Sequence, residues 1–414
     1  MEIDTSTPVV VLACPHHAGL GVTRSLGRLG IPVFNVDSNR WAPAFVSRYS
    51  RGKFVWNLNN VPVGKSMANL VEVARKVGRR CLLIPGTDKA AALVADQAAA
   101  LEPWYLFPSQ NRTLVHSLCS KKRMSELARQ HDIATPVTLS FETRTDRLES
   151  LNKVDLPIIV KGIDDPLRKR CGGTKLIIRT RQQLLGLFDV IGEITAPELI
   201  AQEYIPGSED TVWMFNGYFN EHSECVAGFT GRKLRQCPAY TGVTSLGLCQ
   251  TNEAVGRTAI KLLKAIGYRG IVDMDFRYDA RDGQYKLLDV NPRLGSTFRL
   301  FVSATGLDVA RACYLDLTNQ PVTGAAPVNG RRWIVEDFDL VASLRYLLDG
   351  KLRTREWMKS LRGIHESAFL ALDDLLPMLL MLRADAAELL HRLRPRWDPV
   401  QPFLDKERAT GCQS

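Results

Sequence analysis

The sequence predicts an α/β domain at the N-terminus, an α+β region in the middle and a mainly helical C-terminal segment. Three observations carry that expectation. A strand–helix–strand pattern fills residues 9–37, short strands and turns take over after residue 136, and apolar helical stretches dominate from about 330. The chain has 414 residues, 45% hydrophobic and 24% charged, with 30 Gly and 21 Pro, which excludes a collagen-like or wholly disordered protein. At about 150 residues per domain, that length accommodates two or three domains with their own cores.

Val9-Val10-Val11-Leu12-Ala13 is a continuous β-branched run, as expected of a strand buried on both faces. A loop holding Pro15, Gly19 and Gly21 is expected next, then a helix from Val22 to Leu29, stopped by Gly30. Ile31–Asp37 is the following strand. The order implies a parallel sheet with a right-handed crossover. Cys81–Gly86 and the Ala-rich helix through Ala100 add a further strand–helix unit. One domain is therefore expected over 1–118.

A helix from Lys121 to about His131 follows, and beyond it the pattern changes. Leu156–Lys161, Leu176–Arg179 and Leu199–Gln202 are short strands, with helices at about 181–191 and 253–266. Such a mixture predicts partly antiparallel sheets. The expected second domain covers 119–328, with a smaller subdomain at about 155–205, and 329–414 forms the helical extension.

Lys and Arg outnumber Asp and Glu by 54 to 44, a net charge of +10 that suits a nucleotide, an acidic small molecule, an anionic membrane or nucleic acid without choosing among them. The nine cysteines are scattered and never spaced as CxxC, so neither a zinc site nor a disulfide framework is expected. The acidic start, Met1-Glu2-Ile3-Asp4, does not resemble a signal peptide, and no membrane-spanning apolar run occurs. A cytoplasmic location is the expectation.

The sharpest constellation is Gly270–Phe276, a turn, and Tyr285–Arg293, which together predict a hairpin. Alternate residues share a strand face, so Asp289, Asn291 and Arg293 point the same way, and Asp275 can lie opposite them. Two carboxylates and an amide oxygen are a hard-oxygen set suited to Mg²⁺. Arg293 has the geometry to hold a phosphate or carboxylate. The competing explanation is an exposed polar hairpin face. Lys161 ends an apolar strand, where its ammonium can emerge into a cleft. Arg168–Lys175 is a basic glycine loop whose backbone N–H groups can approach phosphate, though it lacks Walker A spacing; a solvated hairpin tip is the bland alternative. Gln202–Glu209 follows a buried strand and has the character of an interdomain hinge.

The order of Lys121, Lys161, the glycine loop, the Gln202–Glu209 hinge, Asp275 and Asp289-Val290-Asn291-Pro292-Arg293 resembles the ATP-grasp superfamily, and more narrowly its carboxylate–amine ligase branch, similar to D-aspartate ligases and carbamoyl-phosphate synthase-type domains. The resemblance covers about 1–325. It implies a Rossmann-like pre-ATP-grasp domain, an ATP-grasp domain of two α+β subdomains, and ATP with Mg²⁺ (Mn²⁺ as an alternative) as cofactors. It also implies an amide-forming ligase that works through an acyl phosphate and releases ADP and phosphate, with a small carboxylate and an amine as substrates.

Carried over by residue, the resemblance implies that Lys121 and Lys161 contact the ATP phosphates. Gly172 and Gly173 would form the lid, with Lys175 an extra contact. Gln202, Glu203 and Ile205 would meet adenine, and Glu209 the ribose. Asp275, Asp289 and Asn291 would ligate the metal, and Arg293 would face the transferred group. Two departures stand out. Ser120 precedes Lys121 where the family usually has an acid, and Asp289, one methylene shorter, stands where the family usually has Glu.

Other signals compete with this expectation. Gly19, Gly21 and Asp37 form a partial dinucleotide fingerprint whose third glycine falls on Arg24, so an NAD-dependent oxidoreductase is a weaker alternative. A non-catalytic ATP-binding sensor or scaffold is another, opposed by the retained Lys161, Asp275, Asn291 and Arg293. His16 and His17 are expected in a loop, as surface polar groups, and Asp88 either caps a helix or meets substrate. Ala368–Leu382 is expected to pack on the core or form a homodimer, with peripheral membrane contact less favoured. Aromatic residues are not interleaved with the basic ones, so nucleic acid is not an expected partner.

Overall fold

The computed structural model describes residues 3–14, 16–140, 155–161, 175–191, 200–324 and 326–393. The β-branched run at the start forms β1 (Val9–Leu12), almost fully buried, as continuous apolar patterning requires. It sits at the centre of a parallel sheet with β2 (Val33–Asp37), β3 (Ser50–Val55), β4 (Cys81–Pro85) and β5 (Tyr105–Leu106), in the order β3-β2-β1-β4-β5.

One local expectation fails here. The first helix runs His16–Gly27, so Gly19 and Gly21 are helical rather than in a loop. A Cβ on Gly19 would meet the Cys14 carbonyl oxygen at 2.4 Å, and one on Gly21 the Phe298 ring at 3.0 Å. These glycines let the helix approach its neighbours closely. The earlier start also turns His17 inward, among Trp333, Phe338 and Phe369. Burial, reinforced by adjacent His16, pushes its pKa down to about 3 and keeps it neutral. Only His16 has the expected exposure.

The second sheet is antiparallel, built from β6 (Thr138–Ser140), β7 (Ile158–Lys161), β8 (Leu176–Ile178) and β9 (Ile200–Glu203) in the order β6-β9-β7-β8. Leu184 and Leu187 of the helix Arg181–Ile191 cover its apolar face. The glycines of the expected lid, Gly172 and Gly173, lie outside the described residues.

The third and largest sheet contains β10 (Val212–Phe219), β11 (Cys225–Cys237), β12 (Val243–Cys249), β13 (Gly270–Asp279), β14 (Gln284–Asn291), β15 (Arg332–Ile334) and β16 (Ile364–Ser367). Its order is β14-β13-β10-β11-β12-β15-β16, antiparallel except for β15 and β16. The helix Glu253–Ala265 packs Val255, Ala259, Leu262 and Leu263 against one face. The segment after 330 is mainly helical, as expected, with helices Glu336–Leu348, Thr354–Ser360 and Leu376–Leu393. Its β15 and β16 nevertheless extend the large sheet, so it is not a separate appendage.

That segment also grips the first helix. Arg24 donates from Nε to Asp374 Oδ2 (2.9 Å), from Nη1 to Ala368 O (3.1 Å) and from Nη2 to the Phe369 and Asp374 carbonyls (2.8 Å each). Asp374 accepts further bonds from Ser47 Oγ and the Arg48 amide. The Arg24 and Asp374 side chains are only 4% and 2% exposed.

Candidate active site

The hairpin β13–β14 supplies the acids. Asp275 is paired with Asp289, and Asp273 with Asn291, directly across the two strands. Pairing of this kind puts all four side chains on one face. Each metal-candidate carboxylate is held by a lysine from another element. Lys121, the first residue of helix Lys121–Gln130, donates to Asp289 Oδ1. Lys233 of β11, almost fully buried, donates to Asp275 Oδ2 at 2.8 Å.

Lys161 emerges from the end of β7 into the same place. It donates to Gln202 Oε1, and Gln202 donates in turn to Thr138 Oγ1 (3.2 Å). Burial, then the neighbouring Lys175 and Lys121 charges, pull its pKa down to about 7 against the opposing pull of Asp289 and Asp275. Lys175 is exposed, and its ammonium donates to Thr241 O (3.2 Å). Desolvation within the cluster and the Lys233 charge lower its pKa as well. Burial would raise the Asp289 carboxyl, but Lys121, Lys161 and Lys175 outweigh it and hold it below the ordinary carboxylate range.

Arg293 joins the cluster from just beyond β14. Its Nε donates to Asp88 Oδ1 (2.8 Å) and its Nη2 to Asn291 Oδ1 (3.2 Å). Burial would weaken its hold on the proton, yet Asp88 and Asp273 more than compensate. Asp88 does not cap its helix; Thr87 does, accepting from the Ala90 amide. The Asp88–Arg293 pair instead ties the end of β4 in the first sheet to the acidic hairpin. Asp273 is pushed up by burial and by Asp275, and Gly295 lies so close to it that a Cβ there would sit 2.4 Å from its carboxyl carbon.

The expected purine edge is more divided. Successive strand residues face opposite ways, so Gln202 turns toward Lys161 while the Glu203 carboxylate turns away. Arg281 and the Val137 amide (3.2 Å) hydrogen-bond that carboxylate, and Lys286 approaches it at 3.8 Å. Glu203 therefore lines a separate cavity of about 210 Å³ with Val137, Pro157, Tyr204, Pro206 and Arg281. Ile205 is buried, and Glu209 accepts from Gln236 Nε2 at 2.6 Å.

The cluster thus brings Lys121, Lys161, Lys175, Gln202, Asp275, Asp289, Asn291 and Arg293 together, and sets the Glu203 side chain apart. Asp88, expected either to cap a helix or to meet substrate, joins the cluster through Arg293, and Lys233 and Asp273 are further members without an expected role. Among the described residues, no three His, Cys, Asp or Glu side chains gather to hold a metal unaided. The fit to Mg²⁺ rests on donor chemistry: two facing carboxylates and the Asn291 amide oxygen are all hard donors, and this ion ordinarily completes its shell with substrate phosphates and water.

The chain is similar in sequence and in fold to several known proteins. A model of the carbamoyl-phosphate synthase L chain ATP-binding domain matches residues 244–315, the stretch holding the acidic hairpin. A D-aspartate ligase of Enterococcus faecium (strain Aus0004) is 28% identical over 247 residues, 56% of this chain and 58% of that one. The match therefore spans less than two thirds of that relative. Among solved structures, the ADP complex of an N5-carboxyaminoimidazole ribonucleotide synthetase superimposes with a TM-score of 0.62 at 10% identity, covering 93% of this chain and 98% of that one. An L-amino acid ligase from Bacillus licheniformis gives 0.59 at 16% identity, covering 79% and 78%. These structural likenesses establish the fold.

Proposed function

We propose that the chain is a member of the ATP-grasp superfamily and an ATP- and Mg²⁺-dependent ligase joining a small carboxylate to an amine. The D-aspartate ligase and L-amino acid ligase likenesses support that branch. The observation that carries the reading is a charge pattern: among the described residues, Lys161 and Lys175 reach the cleft with an amide oxygen and a backbone carbonyl as their hydrogen-bond partners. Beside them, Asp275 and Asp289 face each other across the hairpin. Two cations without carboxylate partners among the described residues, next to two facing acids, match a polyanion carrying a divalent cation.

The chemistry requires such a cluster. A substrate carboxylate oxygen attacks the γ-phosphorus of ATP, the bond to the ADP oxygen breaks, and an acyl phosphate forms. The amine nitrogen then attacks the acyl carbon, phosphate leaves, and the nitrogen gives up a proton to yield an amide. In the first step one anion approaches another. Two unit charges about 4 Å apart repel by roughly 4 kcal/mol at an effective dielectric of 20. Lys121, Lys161, Lys175 and Arg293 offset that repulsion and stabilise charge spreading over the phosphoryl oxygens. Mg²⁺, held by Asp275, Asp289 and Asn291, would neutralise further phosphate charge. Gln202 orients Lys161, and Asp88 orients Arg293.

The test is ATP-dependent phosphate release from purified protein with Mg²⁺ and a panel of amino acids and small carboxylic acids. Release that needs both a carboxylate and an amine, and that disappears in Lys161→Ala, is the expected result. ATP binding without turnover on any pair would favour a sensor or scaffold instead.

A further inference from the structure

Exposed large apolar side chains are unevenly distributed among the described residues: eleven of eighteen lie between Leu340 and Leu382. Leu340, Val341, Leu344 and Leu348 recur at helical spacing on the outer face of helix Glu336–Leu348, whose inner face buries Ala342 and Tyr346. Leu348 is 83% exposed and Val341 61%.

Basic residues follow at once. Lys351, Arg353, Arg355, Lys359 and Arg362 are all exposed, and none forms an ion pair among the described residues. The Lys351 and Leu352 amides donate back to Tyr346 O (2.9 and 3.1 Å), which folds this basic segment onto the last turn of the apolar helix. Exposed Met358 lies within it. The two acids of the segment are engaged: Asp349 accepts from Arg345 and Tyr240, and Glu356 from the Arg353 amide.

We propose that residues 340–362 dock on an anionic lipid surface, the aliphatic side chains entering the head-group region and the unpaired cations meeting lipid phosphates. No helix among the described residues is long and apolar enough to cross a membrane, so this contact lies along the surface. A second copy of the chain fits less well, because a two-fold contact here would set one copy's unpaired cations against the other's. The proposal is independent of the ligase activity.

The test uses the full chain with vesicles of phosphatidylcholine alone, or with about one-third phosphatidylglycerol, in low and high salt. Light scattering of the lipid-free protein gives its mass. Sedimentation with the anionic vesicles only is expected, with the partition coefficient falling about tenfold or more in high salt. A similar loss is expected in Leu344→Glu/Leu348→Glu and in Lys351→Glu/Arg355→Glu. All four positions are exposed, and unchanged thermal melting checks that the variants fold. Four results overturn the proposal: no binding at low salt, equal binding to neutral vesicles, full binding by either variant, or a lipid-free dimer that the leucine variant dissociates.

Discussion

Two clusters of opposite charge join distant parts of this chain, and they are built differently. In the clasp, Arg24 meets Asp374 with both side chains almost fully buried and nearly every polar atom given a partner. In the cleft, Lys121 and Asp289 keep 30% and 26% of their side chains accessible, and Lys161 has no carboxylate partner among the described residues. A saturated pair fixes geometry and has nothing left to offer a ligand. A cluster with unbalanced cations stores repulsion that an incoming polyanion relieves. The difference shows in Lys161, whose pKa is drawn down to about 7, whereas Arg24 sits in a cradle of acceptors.

The contrast breaks first at the clasp. Removing one partner of a buried pair leaves the other uncompensated, so Arg24→Ala should cost about 3–5 kcal/mol of stability in urea unfolding. Activity per folded molecule should be retained. If the variant unfolds normally yet loses ATP turnover, the clasp is part of the site. Lys161→Ala should behave in the opposite way, losing about 10²–10³ in ATP-dependent turnover, the scale of removing one preorganised charge stabiliser. Its melting temperature should not fall.

Protonation sharpens the same distinction. With a pKa of about 7 in the free site, Lys161 is largely neutral at pH 8 and charged at pH 6. Phosphate oxygens favour the charged form, so nucleotide binding raises that pKa. Binding at pH 8 should therefore take up protons, with little uptake at pH 6 and none attributable to this site in Lys161→Ala; calorimetry in buffers of different ionisation enthalpy reads this. The smallest effect is expected at the rim of the clasp. Arg28 and Asp373 are paired at 2.9 Å with 30% and 42% of their side chains exposed, so Arg28→Ala should change stability by only about 0–1 kcal/mol.

The acidic hairpin was legible because strand alternation is short-ranged: residues 289, 291 and 293 face one way whatever surrounds them. The β-branched run of β1 was legible for the same local reason. Lys233 was hidden in β11, where Arg232, Lys233 and Arg235 follow one another and only tertiary placement separates the cleft lysine from Arg235, which pairs with Asp339. The Glu203 side chain was expected at adenine, but its strand parity and the Arg281 and Lys286 cations draw it to the opposite face. The helical glycines 19 and 21 misled because their role is set by Cys14 and Phe298, contacts that depend on the folded chain. Likewise, nothing local in Trp333-Ile334 says that it becomes the sixth strand of a sheet begun more than a hundred residues earlier.

Titrating Mg·ATP into the protein by calorimetry, alongside Lys121→Ala and Lys161→Ala, asks most directly whether these separated side chains enclose one triphosphate. Saturable one-to-one binding that requires Mg²⁺ and weakens at least about tenfold in each variant is the expected outcome, each lysine–phosphate contact being a charge-assisted bond. Absence of binding by the native chain, or native affinity in both variants, would contradict the account.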